Sequence, residues 1–83
     1  MNSIIKNILL SNIDRLHTTE LGKERIIRNL NIKEDPIIHC KKIITNGKCN
    51  IYKHGKNYYC EINNIKITIN SNSYTIITAH FIK

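Results

Sequence analysis

The sequence predicts an α+β fold, with two to three N-terminal helices packed on one face of a four-stranded antiparallel β-meander. Three observations predict it. Apolar residues recur at helical spacing as far as about residue 45. After Gly47 the period changes to two. The period-two segments are joined by connections too short for anything but antiparallel neighbours. With 83 residues, 41% of them apolar and nineteen of them isoleucine, the chain reads as one domain over residues 1–83, with helices at about 3–45 and the sheet at about 48–82.

The first helix is expected over residues 3–16, where Ile5, Ile8, Leu9, Ile13 and Leu16 share a stripe and Asn12 is the weak point. The pattern restarts at Thr18 and Thr19, hydroxyls suited to accept a free backbone N–H, with Glu20 in the positive first turn. Gly22 costs this helix about 1 kcal/mol relative to alanine and marks a close approach of another backbone. Ile26, Ile27 and Leu30 form its buried stripe before an end near Asn31. Asp35 and Pro36 then supply an N-cap and a first helical position for PIIHCKKIIT, which stops at Asn46-Gly47.

In the sheet, residues 48–54 alternate Cys49, Ile51 and Lys53 against Asn50, Tyr52 and His54. Gly55-Lys56-Asn57 turns into a second strand from Tyr58 to Asn63, and Asn63-Asn64 turns again. Ile65, Ile67 and Ile69 alternate with Lys66, Thr68 and Asn70 in the third strand. In the last, YTIITAHFI, alternation puts Thr75, Ile77, Ala79 and Phe81 on the core face. Tyr74, Ile76, Thr78, His80 and Ile82 fall on the other.

The formal charge of +7 attracts polyanions, nucleic acid above all, although an Ile-, Asn- and Lys-rich alphabet is also what AT-rich coding produces. Cys40, Cys49 and Cys60, odd in number and irregular in spacing, are not a disulfide framework. MNSIIKNILLSNIDRL is interrupted by Lys6, Asn7, Asn12 and Asp14 and lacks a basic leader and a cleavage site, so it is not read as a signal peptide. No stretch approaches the roughly twenty apolar residues that span a bilayer. A soluble, cytoplasmic protein without membrane contact is expected. The His and Cys positions lack the paired spacing of a zinc site, and neither a phosphate loop nor a nucleophile elbow is present. No metal and no cofactor are therefore expected.

The chemistry concentrates in HTTELGKERIIRNL and in the last strand. Positions 17, 21, 25 and 28 share one side of a helix, which lets His17, Arg25 and Arg28 point into a common cleft. Guanidiniums suit a phosphodiester because they present forked donors at fixed charge. Imidazole exchanges protons near neutral pH. His17 as base and His80 as acid, with cations for the transition state, are what metal-independent RNA cleavage needs, and such acid–base help is worth ~10²–10⁴ in rate. The bland reading pairs Arg25 and Arg28 with Glu20, Glu24 or Asp14 in solvent, and treats Tyr74 and Thr78 as ordinary strand formers.

HTTELGKERIIRNL together with SYTIITAH resembles a family of small bacterial proteins of unknown function that carry these two motifs, a likeness spanning residues 14–82. More distantly, the histidine–arginine helix and the final "IITA" strand are similar to the barnase/EndoU/colicin/RelE superfamily of ribonucleases and toxins. That resemblance implies His17, Arg25, Thr78 and His80 as a catalytic set, with Lys53 and His54 as supplements. Arg28 and Tyr74 join them as nucleic-acid contacts. Leu21 stands where related helices place another basic residue. The expected function is RNA binding that extends to toxin-like, metal-independent cleavage. The alternative is a non-catalytic protein-binding inhibitor or adapter, such as a phage or mobile-element protein acting on a nucleic-acid-handling complex. A homodimer joined through edge strands is a third reading.

Overall fold

The structure, a computed structural model, describes residues 2–82, with side chains described from 4 to 82. Among the described residues the order is α1 (Asn2–Ser11), a 3₁₀ turn (Ile13–Arg15), α2 (Glu20–Leu30), α3 (Pro36–Thr45) and strands β1 (Asn50–His54), β2 (Asn57–Ile62), β3 (Ile65–Asn70) and β4 (Ile76–Phe81). The strands form one antiparallel sheet in the order β1-β2-β3-β4. This is the expected meander behind N-terminal helices.

The first helix is shorter than expected. Asn12 turns its side-chain amide back onto the Ile8 carbonyl at 2.8 Å, a local bond that competes with the helix. The chain tightens into the 3₁₀ turn beyond it, and Leu16 reaches the core from there. For α2, Thr19 is the N-cap, its hydroxyl accepting from the Gly22 N–H at 3.0 Å. Asn31 closes the helix in the left-handed conformation at φ 54°, which short polar side chains tolerate. Asp35 caps α3 by accepting from the Ile37 and Ile38 N–H groups, with Pro36 following it.

The core lies between the helices and one face of the sheet. Leu9, Leu16, Ile26, Leu30, Cys40 and Ile44 meet the row Ile51, Cys60, Ile67 and Ala79, which the register aligns across all four strands, and the Tyr58, Ile69 and Ile76 row beside it. The last strand departs from simple alternation. A register shift between Thr68 and Ile69 pairs Thr68 with Thr78 but Ile69 with Ile76, so Ile77 is a bulged extra residue. Ile76 and Ala79 therefore both face the core, while Ile77 and Phe81, expected inside, are 51% and 52% exposed. Tyr74, expected on the polar face, is 4% exposed instead. It adopts φ 59°, packs its ring 6.0 Å from that of Tyr58 and is covered by the Arg15 guanidinium at 4.6 Å.

Candidate nucleic-acid interface

The segment HTTELG fastens α2 to the margin of β4. His17 forms a parallel bridge with Thr75: its N–H donates to the Tyr74 carbonyl at 3.2 Å and its own carbonyl accepts from the Ile76 N–H at 2.8 Å. The Thr18 hydroxyl donates to the Ile76 carbonyl at 3.0 Å, so Thr18 is a tether where a cap was expected. Gly22 is required by that tether. A Cβ there would stand 2.1 Å from the Thr18 hydroxyl oxygen, so the close approach is a side chain and not a backbone. Farther along α2, the Asn29 side-chain amide donates to the Ala79 carbonyl at 3.2 Å. Thr18 and Asn29 thus occupy acceptors on the outer margin of β4 that another strand would use to pair.

Tertiary placement decides which side chains share a face. Ile76 enters the core, so Thr75 beside it points the opposite way, and His17, its bridge partner, goes with it. On that uncovered face the register lays out three polar rows. At one end stand His54, Asn57, Asn70 and Thr75, with Asn70 donating its N–H to the Thr75 carbonyl at 2.9 Å, and His17 next to them. The middle row is Tyr52, Tyr59, Thr68 and Thr78. The far row is Asn50, Glu61, Lys66 and His80.

The middle row carries a platform. The rings of Tyr52 and Tyr59 stack with centroids 5.4 Å apart, and the Lys66 ammonium lies 4.9 Å above the Tyr59 ring. Glu61 ties the platform together by accepting from the Tyr52 hydroxyl at 2.6 Å while lying 3.9 Å from Lys66. The hydrogen bond to Glu61 raises the Tyr52 phenol above its ordinary value.

At the His17 end the ring is held on both nitrogens. Nδ1 lies 2.9 Å from the Arg15 carbonyl and Nε2 lies 3.1 Å from the Thr75 hydroxyl, which in turn lies 2.8 Å from that of Ser73. The turn carrying Ser73 is built on the Asn70 side chain, whose Oδ1 accepts the N–H groups of Asn72 and Ser73, each at 2.9 Å.

The sequence-predicted residues therefore separate. His17, Thr78, His54 and His80 lie on the open face, but His80 sits opposite Lys66, roughly 15 Å along the strand from the Thr75–His17 bridge. Its Nδ1 donates to the Phe81 carbonyl. Arg25 lies on α2 between Gly22 and Asn29, on the stripe bordering β4, which places its backbone level with Ile77 and Thr78. Arg25 and Arg28 are exposed and have no ion-pair partner among the described residues, Glu20 and Asp14 being taken by Lys23 and Lys41. Lys53 pairs with Tyr58 and shares its parity, so it belongs to the helix side of the sheet. Tyr74 is in the core. Sequence reading missed Arg15, Ser73, Thr75 and the Tyr52–Tyr59 pair. The signal for the pair was two tyrosines symmetric about the Gly55 turn.

No pocket is present among the described residues, and no group of three His, Cys, Asp or Glu there could hold a metal ion. No described helix is long and apolar enough to cross a membrane. A family described as "Protein of unknown function (DUF3781)" matches residues 10–80. The chain belongs to that family. In this DUF3781 chain the matched span includes the whole of α2, α3 and β1 to β3, and β4 as far as His80, so both the anchor motif and the open face lie within it. No curated protein and no solved structure matches the chain.

Proposed function

We propose that this protein binds single-stranded RNA on the open face of its sheet. The observation that carries the reading is the Tyr52–Tyr59 stack under Lys66, displayed on the sheet face that the helices leave uncovered. Stacked aromatics offer π surfaces to unpaired bases, and an adjacent cation serves the backbone. A face without a pocket suits a polymer better than a small molecule. The +7 charge supplies the long-range attraction. The likeness to the barnase/EndoU/colicin/RelE superfamily supports the same reading, and buried free thiols suit the cytoplasm.

The reading extends to metal-independent cleavage at the His17 end, where Arg25 and Thr78 border the same margin and would hold a phosphate. His80 stands too far along β4 to serve as acid for the phosphodiester that His17 would address, so it is assigned to binding. The test is fluorescence anisotropy with a labelled single-stranded RNA. Removing a stacking tyrosine costs ~1–3 kcal/mol per base, so Tyr59→Ala should weaken binding by about 5- to 150-fold, and Lys66→Gln should flatten the salt dependence. Wild-type protein that ignores RNA at low salt, or variants that bind as tightly as wild type, would defeat the proposal. Incubation with RNA in EDTA, using wild type and His17→Ala, separates cleavage from binding.

A second reading, a protein-binding adapter, draws on the exposed Ile77, Phe81 and Ile82 along β4. Capture of one stoichiometric protein partner by a chain that does not bind RNA would favour it.

A further inference from the structure

The geometry points to Thr75 as the residue that reads the ribose 2′-hydroxyl, so that the open face distinguishes RNA from DNA. The inference rests on the RNA-binding reading above and adds the chemical basis of its selectivity.

Each proton around Thr75 has one best place to go. A carbonyl only accepts, so the His17 Nδ1 that lies 2.9 Å from the Arg15 carbonyl carries the ring proton. In the neutral ring Nε2 then has only a lone pair, and the Thr75 hydroxyl, 3.1 Å away, must donate to it. A hydroxyl has one proton, so Thr75 has none left. The Ser73 hydroxyl, whose proton faces two acceptors, is therefore the donor to Thr75 at 2.8 Å in preference to the Asn70 Oδ1 at 3.3 Å, which already accepts two backbone N–H groups, while Ser73 in turn accepts the Thr75 N–H at 3.3 Å. The relay runs one way: Ser73 to Thr75, Thr75 to His17, His17 to the Arg15 carbonyl. Of the two lone pairs on the Thr75 oxygen, Ser73 fills one and the other remains.

What Thr75 offers a ligand is thus an acceptor and not a donor. A phosphate oxygen, which only accepts, gains nothing from it. A 2′-hydroxyl donates, and the deoxyribose of DNA has no such group. Thr75 stands on the open face, half-buried, one row along the strands from the Tyr59–Thr68–Thr78 row and two strands across from Tyr59, a separation of roughly 12 Å from it. The ribose of a nucleotide adjoining one stacked on the tyrosine platform comes within reach of it. His17 is then a positioning residue for binding, because its lone pair fixes the direction of the Thr75 hydroxyl, and in cleavage it would receive the 2′-hydroxyl proton only through that hydroxyl.

The experiment compares three single strands of one sequence made only of A and C, which removes the thymine methyl as a variable: RNA, DNA and 2′-O-methyl RNA. Wild type should bind RNA about 3- to 10-fold more tightly than either of the others, the range expected of one net hydrogen bond. Thr75→Val should bring RNA to the DNA level and leave DNA unchanged, Thr75→Ser should keep the preference, and His17→Ala should weaken it. Equal binding of RNA and DNA by wild type, or equal weakening of both by Thr75→Val, overturns the inference while leaving the RNA reading in place. Binding of neither polymer overturns both. Should Thr75→Val fail to fold, the 2′-O-methyl comparison on wild type decides: binding as tight as RNA overturns the inference, and binding at the DNA level supports it.

Discussion

Replacing Gly22 by alanine sets two effects of opposite sign against each other, and the structure says which wins. In an unconstrained helix the change gains about 1 kcal/mol. Here the new Cβ would lie 2.1 Å from the Thr18 hydroxyl oxygen, which donates to the Ile76 carbonyl. Thr18 must swing away, and a partly buried carbonyl loses its partner at ~1–3 kcal/mol. Residual crowding against the Thr18 Cβ and the Thr19 hydroxyl, both at 3.2 Å, adds an overpacking cost of ~1 kcal/mol. The net effect of Gly22→Ala should be a loss of about 2 kcal/mol, or roughly 8–16 °C in Tm for a chain of this size. The same substitution in a Thr18→Ala background no longer meets the hydroxyl, so its cost should fall to within about 0.5 kcal/mol of zero. Urea titrations of the four proteins read the cycle directly. A Gly22→Ala protein as stable as wild type, or a cost identical in both backgrounds, would refute the tether reasoning.

Other perturbations follow from the same geometry. Asn29→Ala frees the Ala79 carbonyl on the margin of β4; it should cost about 1 kcal/mol and raise self-association in sedimentation velocity, and an unchanged profile would argue that the amide does not guard this edge. Burial pushes the Cys40 thiol up to about 12, and Cys60 is also raised by a thiol hydrogen bond with Cys49 and by burial, whereas the same hydrogen bond lowers Cys49. All three thiols are buried, so iodoacetamide followed by peptide mapping should label them only as the chain opens, with Cys49, whose thiolate is favoured, ahead of the other two in mild denaturant. Glu34 is held below its ordinary value of 4.5 by hydrogen bonds from His39 and Lys42. A depressed carboxylate stabilises above the unfolded value and loses that effect as pH falls through the folded one, so the advantage of wild type over Glu34→Gln should vanish on the acid limb of the stability curve. Asn31→Ala makes a residue without the short polar side chain of Asn hold φ 54°; a loss of about 1 kcal/mol by thermal melting is expected, and no loss would show that the cap relaxes.

Much of the fold was legible in the sequence because its signals are local. Helical spacing in α2 and α3, the Asp35-Pro36 start, the Asn-Gly and Asn-Asn turns and the alternation of Ile65, Ile67 and Ile69 each depend on residues within a turn or a pleat of one another. His17 was legible as a candidate because helical spacing put it on one side with Arg25 and Arg28. Its partners were not. The bulge at Ile77 shifts the parity of β4, which sends Tyr74 into the core with Ile76 and leaves Thr75 with His17, and no feature of YTIITAHFI announces where the register slips. Likewise, which sheet face the helices leave bare decides that Tyr52, Tyr59 and Lys66 form a platform while Lys53 belongs to the other side. The sequence by itself determined the elements, their order and the charge, since these are sums over neighbours along the chain. The tertiary structure alone decided which polar side chains meet, because that depends on register and on one extra residue, quantities set by packing between segments nearly sixty residues apart.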